Sequence, residues 1–305
     1  MTDFEPSLKK HLPELRRLVR STITEDLGSG DLCSELVIPP WARCEAVILA
    51  KSPGVVAGLP VARLVFAELD HRVKFMPRAM DGARVRPGRV VARLRGKARS
   101  ILTGERLALN FLQRLSGIAT LTNRFVALAR PHGAQILDTR KTTPGLRFLE
   151  KYAVRAGGGR NHRMGLHDGA MVKDNHMAIL RELCPTRREL VASLATARAA
   201  VPANMLFEAE AQSLDDVRAL LHARVPVIML DNMNTRTMSR AVRLVRQADA
   251  MRGSRTTIEA SGGVCLKNVE SMARTGVDWI SVGALTHSAP PMDLSLEVVR
   301  VMARS

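Results

Sequence analysis

PVIMLDNMNTRTMSRAVRLVRQADAMRGSRTTIEASGG, residues 226–263, decides the fold class. A short apolar run ends in the polar pair Asp231-Asn232, an amphipathic stretch follows over 235–250, and a second apolar run ends in Ser261-Gly262-Gly263. Two strands separated by a helix-length segment pair in parallel through a crossover, whereas a hairpin would need only a few linking residues. Working outward, the same plan recurs. AQILDTRK (134–141), GAMVKDNH (169–176), NMLFEAEA (204–211) and DWISVGAL (278–285) read as further strands, and 178–198, 214–224 and 267–275 as further helices. Such alternation predicts an α/β protein built on a complete or incomplete (β/α) barrel.

Upstream of residue 130 the text changes character. Leu8, Leu12, Leu15, Leu18 and Val19 recur at helical spacing within 7–22 and predict an opening helix, which leads into the turn-rich EDLGSGD at 25–31. Between 44 and 98, β-prone runs (Ala46 to Leu49, Val73 to Met76, Val90 to Leu94) are broken by SPG, DG and RPG turns, as in a small strand-rich domain. The apolar-periodic stretch 101–129 reads as helices joining that domain to the next. The expected organisation is a first domain over 1–115, the barrel over 116–290 and a C-terminal helix over 291–305.

The 305 residues are 46% hydrophobic and 25% charged, enough to bury a sizeable core and unlike a disordered chain. Lys and Arg number 46 against 29 Asp and Glu, a net +17 that suits an anionic partner; 37 of those cations are Arg, so part of the excess reflects composition. Aromatic residues make up only 3%, which counts against a surface that stacks many bases. Cys33, Cys44, Cys184 and Cys265 form no C-x-x-C pair, so neither a disulfide framework nor a thiolate zinc site is signalled. The N-terminus lacks an uninterrupted apolar segment, and no run of 18 apolar residues occurs, so the expected location is the cytoplasm.

Chemistry in a barrel sits at the C-terminal ends of its strands. Here those ends are Asp138 to Lys141, Lys173 to His176, Glu208 and Glu210, Asp231-Asn232, Ser261 to Gly263, and Gly283 to His287. One charged residue after a strand is ordinarily a solvated loop, but six polar ends on strands this apolar point to a site. SGG and VGALTHS place glycines and hydroxyls where the last two strands of a barrel often hold a phosphate on backbone N–H groups. Glu210 and Asp231, 21 residues apart and so one βα unit apart, can hold hydrated Mg²⁺, bond vicinal sugar hydroxyls or stabilise a cationic transition state. Arg140, Lys141, His162, Arg163 and Lys173, with Arg106 upstream, form the densest cationic set and suit a small ligand with several negative groups. His176 reads as structural.

These motifs closely resemble the decarboxylating quinolinate phosphoribosyltransferases, also called nicotinate-nucleotide pyrophosphorylases, of NAD synthesis. The resemblance runs from EDLGSGD (25–31) through TGERLALNFLQRLSGIAT (103–120), ILDTRKTTPGLRFLEKYAVRAGGGRNHRMGL (136–166), KDNH (173–176), FEAEA (207–211) and IMLDN (228–232) to EASGG and ISVGALTHSAP. It implies an N-terminal α/β sandwich domain, an open, incomplete barrel, and a homodimer or higher oligomer in which one subunit's N-terminal domain closes the other's site. It further implies that Arg106, from the neighbour, and Arg140, His162, Arg163 and Lys173 bind the two carboxylates of quinolinate. Lys141 and Lys173 would lie near pyrophosphate, Glu210 and Asp231 would face the ribose hydroxyls and Mg²⁺, and Ser261, Gly262, Gly263 and Gly283 would hold the 5-phosphate, with His287 nearby. Catalysis would rest on Lys141, Lys173, Glu210 and Asp231, with phosphoribosyl pyrophosphate as donor and no organic cofactor.

Two departures from the family pattern stand out: Cys33 in GDLCSE, where Thr is commoner, and FEAEA in place of VEVEV. Cys33 reads as a packed thiol. Three rivals compete with this reading. A molybdenum-transport-associated relative tends to lose the NHR and KDNH elements that this chain retains. Nicotinate phosphoribosyltransferase acts on a monocarboxylate and would need fewer cations. A nucleic-acid-binding module would use residues 72–106, with 11 basic residues against 2 acidic, and would bind without sequence preference in a strongly salt-dependent way.

Overall fold

The computed structural model describes residues 6–302. The chain divides into two compact units: one comprises residues up to Asn123 with Phe148–Gly158 and the segment from Ala289, the other Arg124–Arg147 and Gly159–Ser288. In chain order the strands are β1 (Arg43–Ala50), β2 (Gly54–Val55), β3 (Lys74–Pro77), β4 (Arg84–Val85), β5 (Val90–Lys97), β6 (Gln135–Leu137), β7 (Ala170–Val172), β8 (Phe207–Ala211), β9 (Val227–Asp231), β10 (Thr257–Ser261), β11 (Trp279–Ser281) and β12 (Leu294–Met302).

The first unit is built on an antiparallel sheet of order β12-β1-β5-β3, beside a small β2-β4 pair. Alternation along β5 leaves Arg93 and Arg95 exposed while Ala92 and Leu94 are buried, which places part of the basic excess on a solvent face. The helix Leu59–Leu69 buries Val61, Ala62, Val65 and Phe66. A single helix, Ala98–Ala129, replaces the several expected over 101–129. Its two glycines are packing positions, not breaks: a Cβ on Gly117 would lie 2.1 Å from the carbonyl oxygen of Pro290, and one on Gly104 would lie 2.7 Å from the Phe66 ring.

Three further expectations differ from the structure. The helix expected over 291–305 is strand β12 as far as Met302, with 303–305 outside the described residues; LSLEVVRVM is rich in β-branched residues and pairs with β1 from Leu294↔Ala50 to Arg43↔Met302. The helix expected over 178–198 is two, Asp174–Leu183 and Arg187–Ala200, because Pro185 stops the first and Thr186 caps the second, its hydroxyl accepting from the N–H of Glu189. The expected opening helix is interrupted: a single turn, Pro6–Lys9, precedes the helix Leu12–Leu27, which has Pro13 in its first turn, so the Glu-Asp-Leu of EDLGSGD is helical and the turn begins at Gly28.

The second unit holds the six expected parallel strands in the order β6-β11-β10-β9-β8-β7. From β7 to β11 chain neighbours are sheet neighbours, and β6 joins beside β11, which leaves β6 and β7 as the two edges of an open sheet. Ile228, Leu230, Ile258, Ala260 and Ile280 are buried along it. Among the described residues, no helix is long and apolar enough to cross a membrane.

Candidate active site

At the C-terminal ends of these strands a cavity of about 550 Å³ brings together Arg140, Lys141, His162, Arg163, Lys173, Glu210, Asp231, Ser261, Gly262, Gly263, Gly283 and His287. Every expected site residue lines it except Arg106. That residue is exposed on the helix Ala98–Ala129 of the first unit, where it lines a smaller cavity with Asp26, Gly30, Asp31 and Thr103. Asp31, from EDLGSGD, caps the helix Leu32–Val37 and accepts from the Thr103 hydroxyl at 2.8 Å. Cys33 on that helix is exposed, not packed. A larger cavity, about 760 Å³, also lies in the first unit, but its lining of Leu59, Pro60, Pro77 and Met80 with Arg63, Asp81 and Arg155 gathers no comparable set of charges.

The glycines hold the strand ends close. Gly262 has φ +95°, and a Cβ there would sit 2.2 Å from Oδ1 of Asn232. Asn232 itself has φ +53° and donates its N–H to the Ser261 carbonyl at 2.9 Å, which ties the end of β9 to that of β10. Buried Thr286 donates its hydroxyl to the Lys141 carbonyl at 2.7 Å and so fixes the turn after β6 to the one after β11.

The acids are not equivalent. Glu210 is buried; Oε1 lies 3.2 Å from Nζ of Lys173 and Oε2 accepts the Asp174 N–H at 2.8 Å. One carboxylate therefore orients a cavity lysine and anchors the start of the helix Asp174–Leu183. His176 serves that same turn, its Nδ1 accepting the Lys173 N–H at 3.0 Å. Asp231 is half-buried, with Oδ2 accepting from the Asn232 amide at 2.8 Å.

On the cationic side, Arg163 is buried and its Nη1 donates to the Gly169 carbonyl at 2.8 Å. Burial, and then the neighbouring Arg140 charge, lower the pKa of Arg163. Nε of Arg140 is shielded and has no hydrogen-bond partner among the described residues. Two partly desolvated guanidiniums side by side are unfavourable until an anion joins them.

His162 is held from three sides. Its N–H donates to Oδ1 of the fully buried Asp138 at 2.9 Å; its Nδ1 accepts the Arg163 N–H at 2.8 Å; its Nε2 lies 3.0 Å from Glu208 and 3.4 Å from Glu259. The Ser281 hydroxyl donates to Glu259. Burial opposes charge on His162, but the hydrogen bonds and charges of the two glutamates outweigh it and push its pKa up to about 10. Burial, and then the Glu259 charge, raise Glu208.

His162, Glu208 and Glu259 also converge closely enough to hold a metal ion. A histidine that ligates through Nε2 donates from its other nitrogen, and here that nitrogen accepts, so the three residues form a close, buried charged cluster and not a metal site. The sequence places Asp138, Glu208 and Thr286 at polar strand ends without a specific role, and singles out neither Glu259 nor Ser281. The available signal was a lone acid inside an apolar strand, as in TIEAS, or two acids spaced to share one face of a strand, as in FEAEA.

Comparison with known proteins covers the chain in two parts. Residues 31–116 match the N-terminal domain of quinolinate phosphoribosyl transferase, and residues 118–297 match its C-terminal domain. The probable carboxylating nicotinate-nucleotide pyrophosphorylase of Synechocystis sp. is 43% identical over 91% of this chain and 90% of that protein. The Bacillus subtilis counterpart is 41% identical over 93% of each. The crystal structure of NadC from Streptococcus pyogenes superposes with a TM-score of 0.85 at 35% identity, covering 99% of this chain and 100% of that one. Human nicotinic acid phosphoribosyltransferase, at 13% identity and a TM-score of 0.59 over 88% of this chain and 72% of that one, shares the fold alone.

Proposed function

The chain belongs to the quinolinate phosphoribosyl transferase family, and from that premise we propose how its own residues carry the reaction. The enzyme transfers the phosphoribosyl group of phosphoribosyl pyrophosphate to quinolinate with decarboxylation, giving nicotinate mononucleotide, pyrophosphate and CO₂ for NAD biosynthesis. One observation supports the assignment of roles: a single cavity gathers five cationic side chains, two acids and glycine-rich strand ends.

In this reading Arg140 and Arg163 grip the carboxylates of quinolinate and aim the pyridine nitrogen at C1 of the ribose. Gly262, Gly263 and Gly283, with Ser261, seat the 5-phosphate. Lys141 and Lys173 offset the charge that develops on departing pyrophosphate. The carboxylates of Glu210 and Asp231 offset the positive charge that grows on the ribose as the C1–O bond breaks. Positioning of this kind removes the entropic part of the barrier, and the enzyme forms no covalent intermediate. Alkylation makes the pyridine nitrogen cationic, and that charge stabilises the carbanion left when the adjacent carboxylate departs as CO₂.

Mg²⁺ fits the same acids, since it is usually held by one or two carboxylates together with substrate phosphates, and Glu210 and Asp231 line one cavity. Bound there, it would supply charge neutralisation for pyrophosphate. Arg106 completes the carboxylate pocket from a second subunit of a homodimer. The direct assay mixes protein, quinolinate, phosphoribosyl pyrophosphate and Mg²⁺ and follows nicotinate mononucleotide and CO₂, with nicotinate as the control acceptor. Turnover of quinolinate alone is expected; turnover of nicotinate in its place would overturn the reading.

A further inference from the structure

We propose that Arg147 is a positioning residue for the acceptor: its guanidinium straps the turn that carries Arg140 to the loop that carries Arg163 and so fixes the spacing of the two cations that grip quinolinate. This rests on the substrate assignment above and deepens it with residues outside the cavity. Arg147 opens the helix Arg147–Ala156. Its Nε donates to the Thr142 hydroxyl at 3.0 Å, and its Nη1 donates to the Met164 carbonyl at 3.2 Å. Thr142 stands two residues after Arg140 and Met164 one residue after Arg163, so one planar fork meets both segments beside their cations. Arg140 and Arg163 line the cavity, whereas Arg147, Thr142 and Met164 do not, so none of these three is placed to hold the ligand itself.

At their roots the two segments are already joined, because Asp138 accepts the His162 N–H at 2.9 Å and the Asn161 side-chain amide. Beyond the roots neither rests on a ladder: 138–146 and 161–169 contain no helix or strand. The Arg163 loop is closed on itself, Met164 N–H to Asp168 and Arg163 Nη1 to the Gly169 carbonyl, both at 2.8 Å. Arg147 supplies the outer link between loop and turn. Across that link the guanidiniums carry like charge, and the Arg140 charge adds to burial in lowering the pKa of Arg163. Like charges in a partly desolvated site push apart, and without the strap the segments can relieve the repulsion by separating. A dicarboxylate that needs both cations at one spacing then binds less well. The donor is gripped differently: the Lys141 carbonyl is held by Thr286 at 2.7 Å, and Ser261, Gly262, Gly263 and Gly283 belong to other strand ends.

The test follows quinolinate binding by titration calorimetry, together with turnover, in two variants. Arg147→Met keeps the stem of the side chain and loses the fork; Thr142→Val keeps the shape and loses the acceptor. In Arg147→Met the Kd and KM for quinolinate should rise about tenfold, the scale of losing one hydrogen bond to a charged group, and in Thr142→Val about threefold. The KM for phosphoribosyl pyrophosphate should stay within about twofold in both. Thr142→Ser, which keeps the hydroxyl, should bind quinolinate as the parent does. The double variant should bind no worse than Arg147→Met, because the two residues form one link. Unchanged quinolinate affinity in a folded variant, an equal rise for both substrates, or losses that multiply in the double variant would overturn the proposal. If Arg147→Met does not fold, Thr142→Val and Thr142→Ser carry the same readings. A parent protein that neither binds nor consumes quinolinate removes the substrate assignment and the strap's role with it, whereas parental turnover with unaltered variants removes the strap alone.

Discussion

Arg140 sits where two needs meet: its Nε has no hydrogen-bond partner among the described residues, and its charge opposes that of Arg163. Arg140→Ala therefore relieves a local repulsion and removes a ligand contact. The variant should melt at the parent temperature while kcat/KM for quinolinate falls at least about 100-fold, as for truncating one partner of a desolvated ion pair; near-parent turnover would show that the carboxylates bind elsewhere. Asp70 gives the pH counterpart. Burial raises its pKa, but bonds from Arg72 Nε at 2.9 Å, the Arg72 N–H at 3.0 Å and the Ser100 hydroxyl at 3.0 Å prevail and hold it at about 2. A depressed folded-state pKa gives stability that is complete above the unfolded carboxylate range and lost as pH falls through the folded value. Denaturant melts should show Asp70→Asn less stable by about 1–2 kcal/mol near neutrality, the gap closing toward pH 2. Such roles differ in how visible they are in the sequence. Arg140 and Lys173 stand at strand ends and can be read directly. The work of Glu208 and Glu259 cannot, because it depends on His162 arriving from a loop between β6 and β7.

Among elements, the parallel strands were plain in the sequence because each is a short apolar run closed by a polar pair, a signal carried entirely within the run. Boundaries set by single residues were less plain. Pro185 splits one expected helix, whereas Gly104 and Gly117 leave another whole, and only the packing of Phe66 and Pro290 against those glycines distinguishes a breaker from a spacer. Strand β12 was misread because its identity comes from β1, which lies far away along the chain. The joint of β9 and β10 offers a test at this scale. Gly262→Ala would force a Cβ into the Asn232 amide at a φ that side chains avoid, at a cost of about 1–3 kcal/mol. A lower melting temperature and a raised KM for phosphoribosyl pyrophosphate are expected together; a loss of stability without the KM change would remove the phosphate role from this turn.

For the whole molecule, the net charge of +17 suits two polyanionic substrates and should make kcat/KM fall as salt rises. The shared-site reading has its own arithmetic. Arg106→Ala and Arg140→Ala homodimers should each be inactive, yet after mixing and exchange about a quarter of all sites would carry both arginines, by the symmetry of a two-fold dimer. Recovered pyrophosphate release near that level supports a site built by two subunits, and none at all places Arg106 outside it.

The pairing of β12 with β1 also dictates an order of events during synthesis. Strands β7 to β11 of the parallel sheet follow one another, so that part of it can form while translation proceeds, with β6 waiting only for β11. The first sheet cannot: until residue 302 is made, the hydrogen-bonding edge of β1 lacks its partner. The nascent chain thus carries an adhesive, half-built sheet through most of its elongation, and ribosome-bound chains stopped before residue 294 should depend on chaperones far more than the finished protein does.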